Sequence, residues 1–474
     1  MCSAPDPRRW KALALLCTAS FFVTLDSMIV TLALPSMERD LRLSNEGAQW
    51  VLSGYILAFG GLLLLGGRLA DLLGRRRVFM TGTALFLVSS LLCGLAWTPE
   101  VLVAARVAQG VSAAMMVPSA LSILMTTFGE GTERNKALAV WSGTMGFGAT
   151  AALLIGGPIT EWLDWQWIFY LNLPVAAVLL AVSPLLLRES RTRVGRQGFD
   201  LVGAVSLTVA LFALVFAIAE APRTGWAGAG TIGLLVGAAV LLAVFVRVER
   251  RSSAPLVPLR IFRSRGLVGG NLLMLLLGVL AFGMSFGVSL YGQQVLGYSA
   301  LVFGFGFLPM TVVNILGSAV AQSVVERLGL RPIAVGGSVL LGVGCLLLTR
   351  ISATGHYWAD MFVALLVFGP GLGACFVASS IAALSGVTEQ ESGLASGLNS
   401  AAFQIGGALG VTIVTSMSVS FATAAEPRAA LTEGLRAGFV AGCGFVILAL
   451  VVAFVLLRPA APPGAKRVGT AKVR

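Results

Sequence analysis

The stretch GRLADLLGRRR (Gly67–Arg77) joins two long apolar segments of the chain. A related stretch, QSVVERLGLR (Gln322–Arg331), joins two apolar segments much later in the sequence. When the two are superposed, an acid, a glycine and an arginine fall at matching positions: Asp71 with Glu326, Gly74 with Gly329, and Arg76 with Arg331. Matches at three positions of different chemistry indicate that the chain contains two related halves.

Apolar residues surround both stretches in long runs that are broken by short polar segments. Of the 474 residues, 57% are hydrophobic and 11% are charged, whereas soluble domains carry roughly 25% charged residues. A helix needs about 20 apolar residues to cross the hydrocarbon core of a bilayer. The runs have this length, so the sequence predicts an all-α polytopic membrane protein and excludes a water-soluble globule.

Fourteen transmembrane helices are predicted along the chain. Two pseudo-symmetric bundles of six helices, with an extra helix pair between them, account for this number. We expect the N-terminal bundle at residues 1–190, the extra pair at 191–250, and the C-terminal bundle with a short basic cytoplasmic tail at 251–474. The predicted spans are 11–34, 50–69, 78–97, 101–126, 137–158, 168–187, 201–220, 228–246, 267–291, 301–323, 332–349, 361–383, 395–421 and 436–457.

The positions of the basic residues explain the net charge of +12. Most of the 33 lysines and arginines fall in the terminal segments and in every second loop, and cytoplasmic loops of membrane proteins carry such an excess. The sequence therefore predicts a multi-pass protein of the cytoplasmic (inner) membrane with both termini in the cytoplasm. Because the basic residues do not form one basic face, no nucleic-acid partner is expected.

Three motifs of the chain match one family of membrane proteins. Gly67–Arg77 resembles G-x-L-x-D-x-x-G-R-R-x, the signature loop between the second and third helices of the major facilitator superfamily. Leu25–Pro35 is similar to the first-helix motif L-D-x-T-I-V-N-V-A-L-P, and Arg106–Gly110 resembles the fourth-helix motif R-x-x-Q-G. The chain thus resembles the fourteen-helix drug:proton antiporter branch of that superfamily, the multidrug efflux type.

This resemblance implies a secondary active transporter that exports small amphipathic drugs or secondary metabolites by alternating access, in exchange for protons. The expected partners are a small-molecule substrate, protons and the lipid bilayer. The protein is expected to be a monomer and to use the proton gradient, with no cofactor. The fifth helix departs from the antiporter motif G-P-x-x-G-G, because Ala152 and Leu153 stand where Gly-Pro is usual. A dedicated exporter of one metabolite and a proton symporter therefore stay open as alternatives.

Asp26 and Arg106 are the predicted proton-coupling residues. Asp26 lies about nine residues before Pro35, or ~13 Å from the outer end of the first span. A charge near mid-membrane costs about 2.5–3.5 kcal/mol, so we expect Asp26 to face a partner or a wet cavity. Arg106 lies at a similar depth in the fourth span, and the resemblance implies that it competes with the proton for the carboxylate. Hydrogen bonding to neighbouring helices is the alternative role for each residue.

The repeated stretch is predicted to form the inner gate. A carboxylate after the second span can face the positive N-terminus of a helix in the other half, while the arginines bind acids such as Glu130 or Glu133. Closing these contacts favours the outward-open state; the alternative is that the arginines only anchor the topology. The predicted gate residues are Gly67, Asp71, Gly74, Arg75, Arg76, Glu326 and Arg331.

Polar and bulky apolar side chains in or beside the spans are the candidates for a substrate cavity. A flexible apolar surface with few polar groups suits varied amphipathic ligands, although polar residues also join helices to one another in membranes. The candidates are Tyr55, Gln109, Met116, Asn172, Asn271, Gln293, Asn314, Asn399, Phe403 and Gln404.

A membrane enzyme or sensor is the competing class. It would need a catalytic or metal-binding cluster, yet the only histidine, His356, lies beside Tyr357 and Trp358 in an outer loop, where aromatic residues anchor helices at the interface. The loops contain no G-x-x-x-x-G-K-S/T pattern for binding phosphate. The sequence therefore predicts neither an enzyme nor a metal site.

Overall fold

The computed structural model describes residues 8–128, 132–190, 201–252, 255, 257, 259–385, 387 and 392–457. Within these ranges every element is helical, which confirms the all-α prediction. The α-helices are α1 (Arg9–Leu41), α2 (Asn45–Leu73), α3 (Arg75–Gly94), α4 (Pro99–Thr127), α5 (Thr132–Trp162), α6 (Trp167–Tyr170), α7 (Asn172–Leu186), α8 (Leu201–Thr224), α9 (Ala229–Arg251), α10 (Arg265–Leu290), α11 (Ala300–Leu328), α12 (Leu330–Leu348), α13 (Val363–Leu384), α14 (Ser392–Ser420) and α15 (Pro427–Leu456). A 3-10 turn (Leu259–Arg263) and two π-helical segments (Tyr291–Val295 and Tyr357–Phe362) complete the described elements.

Thirteen helical segments among the described residues are long and apolar enough to cross a membrane. They coincide with thirteen of the predicted spans, and α6 with α7 forms one of them. The predicted fifth span corresponds to α5, a helix of 31 residues that is not among the thirteen. The chain is therefore a multi-pass membrane protein, and the full count of fourteen spans stays a prediction.

The repeated stretch forms the same turn in both halves of the molecule. α2 passes into α3 through Gly74, which has a φ of 111°, and α11 passes into α12 through Gly329, which has a φ of 82°. Residues that carry a Cβ atom rarely adopt a positive φ, so both turns favour glycine. A Cβ atom at Gly74 would also lie 2.6 Å from a carboxylate oxygen of Glu189. Both copies of the repeated stretch therefore join two helices through a glycine with positive φ.

Glycines allow helices within each half to touch at their backbones. An added Cβ at Gly66 of α2 would overlap the backbone oxygen of Ala114 on α4. In the other half, a Cβ at Gly410 of α14 would overlap the backbone oxygen of Val279 on α10. Membrane helices associate through such close van der Waals contact because lipid offers no hydrophobic driving force between them. The glycines therefore set the spacing inside each bundle.

The two halves meet mainly along two helix pairs, α2 with α14 and α5 with α11. At the first contact, a Cβ at Gly60 would lie 2.7 Å from the Cβ of Gln404. At the second, a Cβ at Gly157 would lie 2.7 Å from the Cα of Leu301. Both contacts join a helix of the N-terminal half to a helix of the C-terminal half, so they form part of the interface between the halves.

The predicted extra helix pair corresponds to α8 and α9, which pack against each other. α8 also packs on α2 and α14, where Thr208 donates a hydrogen bond to the carbonyl of Gly61 at 3.3 Å. Ser416 of α14 donates to the carbonyl of Ile218 on α8 at 2.8 Å. Residues 191–200, at the start of the predicted insertion, lie outside the described ranges, so the domain limits stay predictions.

The substitution Gly410→Ala tests the backbone contact between α10 and α14. Its methyl group has no room beside Val279, so the helices must separate, and we expect a loss of about 1–3 kcal/mol of stability. Thermal unfolding of the purified protein in detergent measures the effect. Gly237→Ala on α9 is the matched control, because no described atom lies within 4 Å of the added methyl; equal stability of the two variants would contradict the packing argument.

Candidate functional site

A buried ion pair lies inside the N-terminal half. Nη1 of Arg106 on α4 donates to Oδ2 of Asp26 on α1 at 2.7 Å, and both side chains are 0% exposed. This is the contact that the similar depths of the two residues predict. A buried pair of this kind is stable only when additional hydrogen bonds satisfy its remaining polar atoms.

The guanidinium group of Arg106 is held by α2 as well as by α1. Its Nε atom donates to the backbone carbonyl of Val51 at 3.1 Å. Its Cζ atom lies 4.2 Å from the centre of the Tyr55 ring, a distance at which a cation is attracted to an aromatic face. Tyr55 is itself fixed, because its hydroxyl donates to the carbonyl of Val23 at 3.3 Å. α2 therefore holds the guanidinium group through a backbone carbonyl and through an aromatic ring.

Two side-chain amides bind the second oxygen of the carboxylate. Oδ1 of Asp26 accepts hydrogen bonds from Nδ2 of Asn172 at 2.8 Å and from Nε2 of Gln109 at 3.3 Å. Nε2 of Gln109 also donates to Ser90 at 2.8 Å. We call Asp26, Arg106, Gln109, Asn172, Tyr55 and Ser90 the Asp26 cluster. Ser90 is a member that the sequence did not predict.

The Asp26 cluster therefore contains three residues that were predicted as substrate contacts: Tyr55, Gln109 and Asn172. Met116 is also buried in the N-terminal half, with 1% exposure. The other predicted contacts lie in the C-terminal half, where Asn271 donates to the carbonyl of Leu267 in its own helix at 2.8 Å. Asn399 and Gln404 are buried on α14, Phe403 and Asn314 are partly buried, and Gln293 donates to Ser289 at 2.9 Å.

A small cavity of about 50 Å³ lies between α1, α2, α10 and α14, and thus between the two halves. No charged side chain, and none of the ten predicted substrate contacts, is among the described residues that line it. Ser27, Thr31 and Ser285 bring hydroxyl groups to an otherwise apolar wall. Pockets for drug-sized ligands measure about 300–1,000 Å³, so this space must widen before it can hold such a molecule. The lining residues are Ser27, Met28, Thr31, Leu52, Ile56, Ala281, Phe282, Ser285, Phe286 and Val411.

The signature loop makes its ion pairs within the N-terminal half. Arg75 donates to Asp71 at 3.0 Å, an ion pair between residues four positions apart. The backbone N–H groups of Arg76 and Arg77 donate to the two carboxylate oxygens of Glu189, each at 3.2 Å. Glu189 follows α7, and its carboxylate lies at the positive N-terminus of α3.

One of the two acids named in the sequence prediction, Glu133, binds a residue outside the loop. Glu133 pairs with Arg9 at 2.9 Å, whereas Glu189 is the partner of Arg76 and Arg77. Glu130 lies outside the described residues, as does the side chain of Glu326. In the second copy of the stretch, the guanidinium of Arg331 lies 4.8 Å from the centre of the Phe454 ring. Gly67 is packed near Pro118, 3.5 Å from where its Cβ would lie.

Hydrogen bonds between the halves lie at the end of the bundle where α1 ends and α2 begins. Nε2 of Gln294 donates to Glu38 at 2.5 Å, and Ser289 donates to the carbonyl of Thr31 at 3.1 Å. A third bond runs from Gln49 on α2 to Thr412 on α14 at 3.0 Å. The halves are therefore held together at the end that is predicted to face outward.

Two related helical halves, a cavity between them and a buried ion pair beside it define a polytopic membrane transporter. The family model described as Major Facilitator Superfamily matches residues 16–410 and 308–473. The chain therefore belongs to the Major Facilitator Superfamily, as its three motifs predict.

Relatives whose names state resistance to or export of antibiotics are similar over most of their length. The puromycin resistance protein of Streptomyces alboniger is 38% identical over 465 residues, covering 96% of this chain and 92% of its own. The cephamycin export protein of Amycolatopsis lactamdurans is 36% identical, covering 96% and 94%. The tetracenomycin C resistance and export protein of Streptomyces glaucescens is 35% identical, covering 86% and 75%.

Solved transporter structures share the fold at low sequence identity. A POT peptide transporter in complex with sulfate superposes with a TM-score of 0.67 at 17% identity, covering 94% of this chain and 93% of its own. A bacterial homolog of the human lysosomal transporter Spinster, in an inward-facing conformation, superposes with a TM-score of 0.65 at 17% identity, covering 96% and 98%. The helices of this chain are therefore arranged as in these solved transporters.

The substitution Arg106→Met tests whether the ion pair holds the N-terminal half together. It leaves the buried carboxylate of Asp26 without its cation, so we expect a loss of about 3–5 kcal/mol of stability. Adding Asp26→Asn removes both charges and should recover a large part of that loss. Unfolding of the single and double variants in detergent checks this; a double variant no more stable than Arg106→Met would contradict the pairing.

Proposed function

We propose that the protein exports small amphipathic compounds across the cytoplasmic membrane in exchange for protons. One observation carries the proposal: a fully buried carboxylate, Asp26, pairs with Arg106 beside a cavity that lies between the halves. Ionisable residues inside membrane segments mark proton and substrate pathways. The family assignment supports transport, and relatives whose names state resistance to or export of antibiotics support the direction and the substrate class.

Asp26 is the proposed proton carrier, and Arg106 is its competitor. In the described arrangement the carboxylate accepts three hydrogen bonds and donates none, which matches its ionised form. A proton can bind when the contact with Arg106 weakens, because a carboxylate without a neighbouring cation is costly in an apolar interior. Restoring the ion pair expels the proton. Each cycle can thus return one proton in exchange for outward movement of substrate.

The cavity between the halves is the proposed substrate site. Its wall combines apolar side chains with three hydroxyl groups, and its described residues carry no charge. Such a wall binds apolar bodies and orients them through a few hydrogen bonds. It therefore suits neutral or weakly cationic amphipathic molecules better than divalent ions. The ten side chains predicted from the sequence come into reach of the substrate only if the cavity widens.

Alternating access follows from the position of the contacts between the halves. Bonds such as that from Gln294 to Glu38 close the end predicted to face outward. At the opposite end, Asp71 and Arg75 contact each other, and we propose that they bind the C-terminal half when that end closes. The proposal places both termini in the cytoplasm and takes the monomer as the working unit, with the proton gradient as the energy source and no cofactor.

The substitution Asp26→Asn tests the proton carrier. An amide of the same size cannot carry the proton, so we expect resistance of cells to exported drugs to fall to that of cells without the protein. Proton release from inverted vesicles on adding drug should also disappear. Glu133→Gln, the same change at an acid near the surface, is the control and should keep both activities. Normal transport against a gradient by Asp26→Asn would refute the mechanism.

The substitution Ser285→Leu tests the cavity. The larger side chain fills a space of about 50 Å³ and removes one of its hydroxyl groups. We expect inhibitory concentrations of exported drugs to fall several-fold while abundance and thermal stability stay unchanged. A panel of unrelated drugs separates broad export from export of one metabolite. Ser323→Leu, on an exposed face of α11, is the control; equal effects of the two changes would place the substrate elsewhere.

A further inference from the structure

Only one of the two polar atoms in the side-chain amide of Asn172 makes a hydrogen bond in the Asp26 cluster. Asn172 is the first residue of α7, and its side chain is 0% exposed. Its Nδ2 atom donates to Oδ1 of Asp26 at 2.8 Å and lies 3.4 Å from the hydroxyl oxygen of Ser90. Its Oδ1 atom is buried and has no hydrogen-bond partner among the described residues. A buried acceptor without a donor is costly. Its position beside an ionisable group indicates that it has a partner in another protonation state of that group.

While Arg106 still contacts Oδ2, a proton that binds Asp26 binds the oxygen that faces Asn172. Oδ2 is occupied by Arg106 at 2.7 Å, and a guanidinium group only donates hydrogen bonds. The remaining oxygen, Oδ1, faces the N–H groups of Asn172 and Gln109. Once Oδ1 carries a proton, its O–H group is a donor, while the oxygen can still accept a hydrogen bond from one of these two N–H groups. One neighbouring group must then offer an acceptor.

The amide of Gln109 cannot turn to offer one. Its Oε1 atom accepts from Nη1 of Arg106 at 2.7 Å and from the thiol of Cys93 at 3.3 Å. Its Nε2 atom donates to Ser90 at 2.8 Å. Rotating this amide would place its N–H groups against the donors of Arg106. Gln109 is therefore fixed as a donor in both protonation states of Asp26.

We infer that Asn172 is a positioning residue whose side-chain amide reverses when Asp26 binds a proton. With Asp26 ionised, Nδ2 donates to the carboxylate, as in the described structure. With Asp26 protonated, a half-turn of the amide brings its oxygen to accept from the new O–H group. One amide atom lacks a partner in either orientation, so the turn exchanges one hydrogen bond for another. This inference rests on the proposed proton exchange at Asp26.

The other titratable groups around the carboxylate do not take this role. Arg106 has no acceptor. The hydroxyl of Tyr55 donates to the carbonyl of Val23, and the thiol of Cys93 donates to Gln109. Asn172 thus provides a buried, unused acceptor on an amide that already contacts Oδ1 of Asp26. When this acceptor turns toward the carboxyl group, the new O–H group has a partner.

Infrared difference spectroscopy can test the reversal directly. The full-length protein, labelled with ¹³C in its asparagine side chains and held in lipid, is compared between acid and alkaline buffer. We expect a protonated carboxyl band to appear on acidification, together with a shift of one asparagine C=O band to lower frequency. Asp26→Asn should lose both changes, Asn172→Thr should lose only the asparagine shift, and Asn271→Thr should lose neither.

A pH profile of drug export provides a second readout. The bond that Asn172 donates to the carboxylate is charge-assisted and stronger than the bond it accepts from the protonated form. Asn172→Val removes both bonds, so Asp26 holds its proton more tightly. The midpoint of the pH profile of export should then rise by about one pH unit. Asn172→Thr keeps a hydroxyl that can donate or accept, and its midpoint should lie nearer that of the unaltered protein.

The outcomes separate this inference from the function on which it rests. A carboxyl band that requires Asp26 but has no accompanying asparagine shift would overturn the inference and leave proton exchange intact. An unchanged midpoint in Asn172→Val would also overturn it. If the unaltered protein shows neither a carboxyl band at Asp26 nor drug-driven proton release, the proposed function itself fails.

Discussion

The contact between Asp26 and Arg106 is the interaction on which the rest of the structure depends. Two charges removed from water are stable only when each has its partner and further hydrogen bonds. Here α2 supplies the carbonyl of Val51, α4 supplies Gln109 and α7 supplies Asn172, while the carboxylate stands on α1. Moving any one of these helices would remove either a charge or a hydrogen-bond partner from the buried pair. The N-terminal half is therefore expected to tilt as a unit, which is the motion that transporters built from repeats require.

α1 connects the ion pair to the space between the halves. Asp26 faces the other helices of its own half, whereas the next residue, Ser27, lines the cavity that faces the C-terminal half. Successive residues of a helix point about 100° apart, so one helix presents a charge to one side and a hydroxyl to the other. In the proposed mechanism, a change in the protonation of Asp26 alters the position of α1, and the wall of the substrate site moves with it.

The sequence predicted the features that depend on local chemistry or on the cost of burial. The turn at Gly74 and Gly329 follows from a motif, and the pairing of Asp26 with Arg106 follows from the expense of a charge in the membrane. Asn172 was recognised as a polar group in an apolar span but was assigned to the substrate, because spacing along one helix does not tell which neighbouring helix it faces. Glu189 was missed since its contact with the signature loop depends on where α7 ends. Single serines such as Ser90 are too common in membrane helices to stand out.

The hydrogen bonds that join the halves where α1 ends and α2 begins all have neutral donors. Gln294, Ser289 and Gln49 each donate from a neutral amide or hydroxyl group, and their acceptors are a carboxylate, a carbonyl and a hydroxyl. None of these three bonds joins two opposite charges. Dissolved salt weakens exposed ion pairs, with a screening length of about 10 Å at 0.1 M, but it acts much less on bonds with a neutral donor. The seal formed by these three bonds should therefore tolerate large swings in the salinity of the surrounding medium.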